Sequence, residues 1–191
     1  MNHIILASQS PRRKQLLEWA EIDFEIIIKP TAETYPTNLT TEQIPVHIAF
    51  EKALAVKNEL KNNSIIIAAD TVVVIDDKII GKPTDRNDAI KILSKLSGKK
   101  HLVITGVVII NNEKEISFAD VTEVWFHKLT KEQIEFYVDK YKPFDKAGAY
   151  AIQEWIGVVG IEKINGDFYN VMGLPISRVV KELKGIMNDE L

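Results

Sequence analysis

The sequence predicts an α/β fold, a two-lobed mixed sheet with flanking helices and a central cleft, and three observations carry its outline. Apolar β-branched runs alternate with helical spacing through the first half of the chain. From His101 to Phe126 the pattern changes to short strands separated by turn residues, as in an antiparallel meander. Helical spacing and a hairpin-like stretch then close the sequence. A chain of 191 residues can bury one good core or fold as two lobes around a cleft, and one domain over residues 1–191 is the expectation.

Taken in order, His3 to Ala7 reads as a strand, Pro11 to Ala20 as a helix, Phe24 to Ile28 as a strand and Thr41 to Leu60 as a long helix. A strand at Ile65 to Val74 turns through Asp76-Asp77-Lys78 into Lys78-Ile79-Ile80. Ala89, Ile90, Leu93 and Leu96 give Asp85 to Leu96 helical spacing. The meander places strands at His101 to Ile110, Glu115 to Ala119 and Thr122 to Phe126, with turns at Asn111-Asn112-Glu113 and at Asp120. A helix at Lys131 to Tyr141 follows. Val158 to Ile164 and Asp167 to Val171 flank Asn165-Gly166, which predicts a hairpin because both turn residues tolerate positive φ. The last helix spans Pro175 to Met187.

Composition narrows the function classes. Hydrophobic residues make up 46% and charged residues 27%, an ordinary globular balance. With 24 basic and 27 acidic residues the formal charge is -3, so no global field draws in nucleic acid or an anionic membrane. The absence of cysteine excludes disulfides, thiolate metal sites and a cysteine nucleophile. No leader-like stretch and no bilayer-length apolar run is visible, and the expected location is cytoplasmic.

Four places carry chemistry. In SQSPRR, Ser10 before Pro11 reads as a helix cap, and the helix start with Ser8, Arg12 and Arg13 makes a compact anion trap. A capped surface helix with two solvated arginines is the alternative. Asp70 interrupts the apolar strand SIIIAADTVVVID, where a carboxylate needs a metal, a cation or a proton, unless the strand ends or bulges there. Lys52 falls inside the apolar arc of Ile48, Ala49, Ala55, Val56 and Leu60, so it either meets an anion or snorkels to solvent. Lys82, between Gly81 and Pro83, is a weak signal alone.

These segments together resemble the Maf family of nucleoside triphosphate pyrophosphatases. The resemblance rests on SQSPRR, the lysine of Glu51-Lys52-Ala53, AADTVV, GKP at Gly81 to Pro83, TGV at Thr105 to Val107, DKAGAYAIQ from Asp145 to Gln153, and GDFYNVMGLP from Gly166 to Pro175. It implies a two-lobed α/β fold related to the inosine triphosphate pyrophosphatases, with the site in a central cleft. It also implies hydrolysis of a nucleoside triphosphate to the monophosphate and pyrophosphate with a divalent cation, Mg²⁺ or Mn²⁺. The DKAGAY and Ile-Gln pattern resembles the branch acting on dTTP and UTP, a house-cleaning activity. That resemblance puts Arg12, Thr71 and Gln153 at positions of base choice and Asp70 at the proton acceptor.

The chemistry suits these residue types. Attack of water on the α-phosphorus needs three phosphates neutralised, which Arg12, Arg13, Lys52 and Lys82 can do while Ser8 fixes orientation. Asp70, alone or through a metal, can take the proton from water. Glu33 is either a second metal carboxylate or a solvated acid in the turn-rich TAETYPTN. Gln153 matches the acceptor–donor–acceptor edge of uracil or thymine, or else bonds backbone. A regular strand would turn Thr71 to the side opposite Asp70. One departure stands out: Gln153 is followed by Glu154-Trp155 where many relatives have a glycine-rich segment, and Trp155 could stack on a base, cover the core or sit in a subunit interface.

A nucleotide-sensing regulator of septum formation is the competing function, and a nucleic-acid module is disfavoured by the acidity. A nucleoside triphosphate is the expected partner, with no stable nucleic acid and no membrane. A homodimer stays open.

Overall fold

The computed structural model describes residues 3–60, 63–112 and 114–188. Glu113 of the expected Asn111-Asn112-Glu113 turn lies outside the described residues. Seven strands hydrogen-bond in the order β2-β1-β3-β5-β6-β7, with β4 on β3: β1 Ile4–Leu6, β2 Glu25–Ile26, β3 Ile65–Ile75, β4 Lys78–Ile80, β5 Lys100–Ile110, β6 Glu115–Phe126 and β7 Ile161–Asn165. The helices are α1 Pro11–Trp19, α2 Gln43–Lys57, α3 Arg86–Leu96, α4 Lys131–Tyr141, α5 Trp155–Gly160, α6 Phe168–Met172 and α7 Ile176–Asn188. Parallel pairs join β1 to β2 and β3, and antiparallel pairs join β3 to β4 and β6 to β7, so the mixed α/β sheet of the sequence reading is present. Among the described residues no helix is long and apolar enough to cross a membrane.

The chain divides into two compact units, in keeping with the expected two lobes. The first draws on Met1–Asp70, Thr105–Asp120 and Gly173–Leu191, the second on Thr71–Ile104 and Val121–Met172. In the first unit β1 lies in register with the start of β3, Ile5 opposite Ile66. The inward residues Ile5, Ala7, Ile66, Ala68, Val108 and Ile110 pack against Ala49, Ala53 and Val56 of α2. Small residues on α2 let it approach closely, and Gly106 sets the limit. A Cβ at Gly106 would lie 2.2 Å from the Val46 nitrogen and 2.3 Å from the Pro45 carbonyl carbon. α7 contributes Val179, Leu183 and Ile186, one buried stripe at helical spacing.

In the second unit Asp76 and Asp77 take φ of 51° and 56°, the paired left-handed turn that suits a two-residue hairpin, and Val73 faces Ile80 across it. Asp85 caps α3 by accepting from the Asp88 amide at 2.9 Å, and Thr130 with Gln133 forms a capping box on α4. The two helices pack together, and Arg86 of α3 forks onto Asp139 of α4 at 2.5 and 2.8 Å.

Three expectations are corrected. Asp120 does not break β6: Arg178 of α7 lies 3.8 Å from its carboxylate and donates to the Ala119 carbonyl at 3.3 Å, so the strand runs through. The hairpin around Asn165-Gly166 is not formed. Val158 to Gly160 belongs to α5, and Asp167 to Val171 gives way to α6, because the Asp167 carboxylate accepts from the Tyr169 amide at 2.7 Å and starts a helix. Gly166 still turns the chain, with φ 131°. The expected strand at Phe24 to Ile28 shrinks to Glu25–Ile26, both exposed at the end of the sheet order.

Two stability outcomes follow from this packing. His101 is buried against Phe126 and Tyr150, its Nε2 lies 2.8 Å from the Tyr150 hydroxyl, and its Nδ1 has no partner among the described residues. Burial lowers the imidazole from 6.5 to about 4, while the unfolded chain titrates near 6.5. The unfolded state therefore binds the proton more readily, and the contribution is complete above pH 6.5 and lost as pH falls toward 4. It amounts to about 3 kcal/mol, read as the extra loss in urea unfolding that His101→Gln does not show. Gly106→Ala must push α2 off β5, and we expect a loss of about 3 kcal/mol in the same assay.

Candidate active site

The first unit collects most of the charged residues singled out in the sequence. β3 runs unbroken through Asp70, so the carboxylate is neither at a strand end nor in open water; its side chain keeps only 17% exposure. Lys52 supplies the cation that such a carboxylate requires. Its ammonium donates to Asp70 Oδ1 at 2.8 Å and lies 2.8 Å from Glu33 Oε1. The lysine therefore points inward from α2 at 16% side-chain exposure rather than snorkelling to solvent. Glu33 reaches it from a loop outside the helices and strands with φ 47°, a left-handed conformation that a glutamate adopts only where its surroundings hold it.

Arg13 approaches the same carboxylates from α1. It is buried, its Nε donates to the Gly173 carbonyl at 2.8 Å and its Nη1 to Ser8 Oγ at 3.0 Å. Burial pushes the guanidinium down to about 10, reinforced by Arg12 and opposed by the negative charges of Asp70 and Glu33. It is a fixed cation at neutral pH. The expected Ser10 cap is corrected: the Ser10 side chain makes no capping bond, and its amide instead donates to Ser8 Oγ at 3.2 Å. Ser8 Oγ thus accepts twice, from Ser10 and Arg13, which leaves its hydroxyl proton to be donated. Arg12 is half-buried beside it on α1.

Two carboxylates within 2.8 Å of one positive charge fit a hard ion with oxygen ligands. Among the described residues no group of three or more His, Cys, Asp or Glu side chains comes together. Asp70 and Glu33 suit an ion that takes its other ligands from phosphate and water, as Mg²⁺ and Mn²⁺ do.

Lys82, Thr71 and Gln153 belong to the second unit. Lys82 is exposed beside buried Pro83, and the Gly81 carbonyl before it accepts from the Gly148 amide at 3.2 Å. Because β3 is continuous, strand alternation turns Thr71 away from the side of Asp70, and its assignment to base choice rests on the resemblance. Gln153 is exposed in the turn before α5. Sequence reading missed the Gly173 carbonyl that anchors Arg13. The only signal was the glycine two residues before Pro175, at the start of the last helical segment.

Residues 3–186 match the family described as Maf-like protein. The chain belongs to the Maf family. The dTTP/UTP pyrophosphatase of Cytophaga hutchinsonii is 54% identical over 98% of this chain and 86% of its own length. That of Phocaeicola vulgatus is 50% identical over 95% and 94%. Among solved structures, the Staphylococcus aureus Ham1 protein shares the fold, with a TM-score of 0.55 at 16% identity over 95% of this chain and all of that one.

Removing the shared cation tests how this Maf site is held. Lys52→Met removes the ammonium that Asp70 and Glu33 share, and we expect a loss of about 2 kcal/mol in urea unfolding. Asp70→Asn in the same background should recover part of it.

Proposed function

We propose that this chain is a metal-dependent nucleoside triphosphate pyrophosphatase acting on dTTP and UTP, cleaving between the α- and β-phosphorus. The observation that carries the reading is one ammonium shared by two carboxylates, in the field of a buried, doubly anchored guanidinium. The names of the relatives at about half identity support the substrate class.

On this reading Arg13, fixed by Ser8 and Gly173, sets a preorganised positive charge against the phosphates, and no side-chain rotation is needed when charge develops. Arg12, Lys52 and Lys82 add positive charge along the triphosphate. The Ser8 hydroxyl proton orients a phosphate oxygen. Asp70 accepts the proton of the attacking water as it adds to the α-phosphorus, and pyrophosphate leaves. Glu33 and Asp70 would hold Mg²⁺ or Mn²⁺, which supplies Lewis-acid neutralisation of the phosphates when bound. Gln153 and Thr71 would meet the base. A cytoplasmic location goes with free nucleotide substrates.

The test separates pyrophosphate from phosphate in the products. Wild type should release one pyrophosphate per UTP or dTTP, and Asp70→Asn should lower kcat by about 100-fold or more with the nucleotide still binding. Release of inorganic phosphate instead would redirect the reading to a phosphatase.

A further inference from the structure

The segment 151–157 of the second unit is tied down more firmly than a surface turn needs to be. Tyr137 of α4 is fully buried, and its hydroxyl accepts from the Ala151 amide at 3.2 Å while donating to Glu154 Oε2. The Glu154 amide donates back to the Ala151 carbonyl at 3.1 Å. The Glu154 carbonyl accepts from the Gly157 amide at 2.9 Å and from the Val158 amide at 3.3 Å. Gly157 has no room for a side chain, since a Cβ there would lie 1.8 Å from the Ile152 carbonyl oxygen. Trp155 meets Phe136 of α4 edge-on at 4.9 Å, so the helix supports the turn with an aromatic contact as well, and Tyr137 is itself stacked on Tyr141 within α4 at 5.0 Å.

Within this closed loop Ala151 and Ile152 are buried and Glu154 is half-buried, whereas Gln153 is exposed. A flexible exposed glutamine would lose conformational freedom on meeting a ligand; one standing on a fixed turn has lost the backbone part of it already. Glu154 is an odd residue for a merely structural tie, because its charge opposes an anionic substrate. Lys146, itself buried, lies 3.6 Å from Glu154 Oε1 and 2.8 Å from Asp145 Oδ1, and supplies the opposing charge.

We propose that Glu154 and Tyr137 are positioning residues for pyrimidine recognition: they clamp the 151–157 turn so that the Gln153 amide is presented in one orientation to the base edge of the nucleotide. This rests on the reading of Gln153 as the group that meets the base. Uracil presents an acceptor at its 4-position where cytosine presents a donor, so a fixed amide separates the two and a wandering one does not.

The experiment compares UTP with CTP in the full-length protein, scoring KM, kcat and the ratio of kcat/KM for the two nucleotides. Tyr137→Phe and Glu154→Gly should raise KM for UTP about 10-fold, leave kcat within about threefold, and lower the UTP-to-CTP ratio about 10-fold. Glu154→Gln keeps an acceptor for the phenol and should restore most of the ratio. The ratio does not depend on the folded fraction, so a variant that merely unfolds lowers both nucleotides equally and overturns the proposal. Gln153→Ala separates the two readings. If it collapses the ratio while the clamp variants leave it intact, the clamp is wrong; if it leaves the ratio intact, Gln153 does not read the base and the clamp has nothing to position.

Discussion

An aspartate in the middle of a strand of isoleucine, alanine and valine needs a cation brought to it, and Lys52 brings one to Asp70 and Glu33 together. Much of the first unit follows from that requirement. α2 must lie close enough to β5 for the lysine to reach β3, which needs alanines on its inner face and no side chain at Gly106. The loop of Glu33 must enter a left-handed conformation to bring the second carboxylate in. Arg13 is the same problem with the sign reversed: a buried guanidinium held by a carbonyl, a hydroxyl and the field of those carboxylates. Charges buried in this way are dear in isolation and useful for one purpose, which is to hold other charges in place without rearrangement.

The second unit works by a different means. Its polar interior is neutral or locally paired: His101 with Tyr150, Tyr137 with Ala151 and Glu154, and Asn170 with the Val103 carbonyl at 3.1 Å and Thr122 at 2.9 Å. Such groups fix backbone rather than field. Helix caps at Asp85 and Thr130 and the fork of Arg86 on Asp139 brace the two helices against each other. This is a scaffold suited to presenting a turn.

Legibility differed residue by residue for a physical reason. Asp70 and Lys52 stood out because a charge on an apolar face violates the pattern that defines the face, and the structure pairs them. Glu33 was ambiguous, since a turn-rich segment offers nothing for an acid to violate. The Gly173 carbonyl was invisible because every residue has one, and which carbonyl meets a guanidinium is a matter of where two distant segments end up. Tyr137 was legible only as one position of the helix expected at Lys131 to Tyr141, and helical spacing does not express what a buried hydroxyl bonds. Asn165-Gly166 shows the opposite failure: a strong local turn signal was real, but Asp167 capped a helix where a strand was expected.

What the sequence determined by itself was the local code: the strand and helix types of the first half, the hairpin at Asp76-Asp77, the helix beginning near Asp85, and the two misplaced charges that needed partners. These depend on periodicity, φ preference and the cost of an unpaired charge, all of which act within a few residues. The tertiary structure alone decided that one ammonium serves two carboxylates, that a glycine carbonyl 160 positions away anchors Arg13, and that a buried phenol ties the turn around Gln153. Those contacts join groups whose sequence positions carry no mutual signal, and only the packing of helices onto strands brings them within hydrogen-bond range.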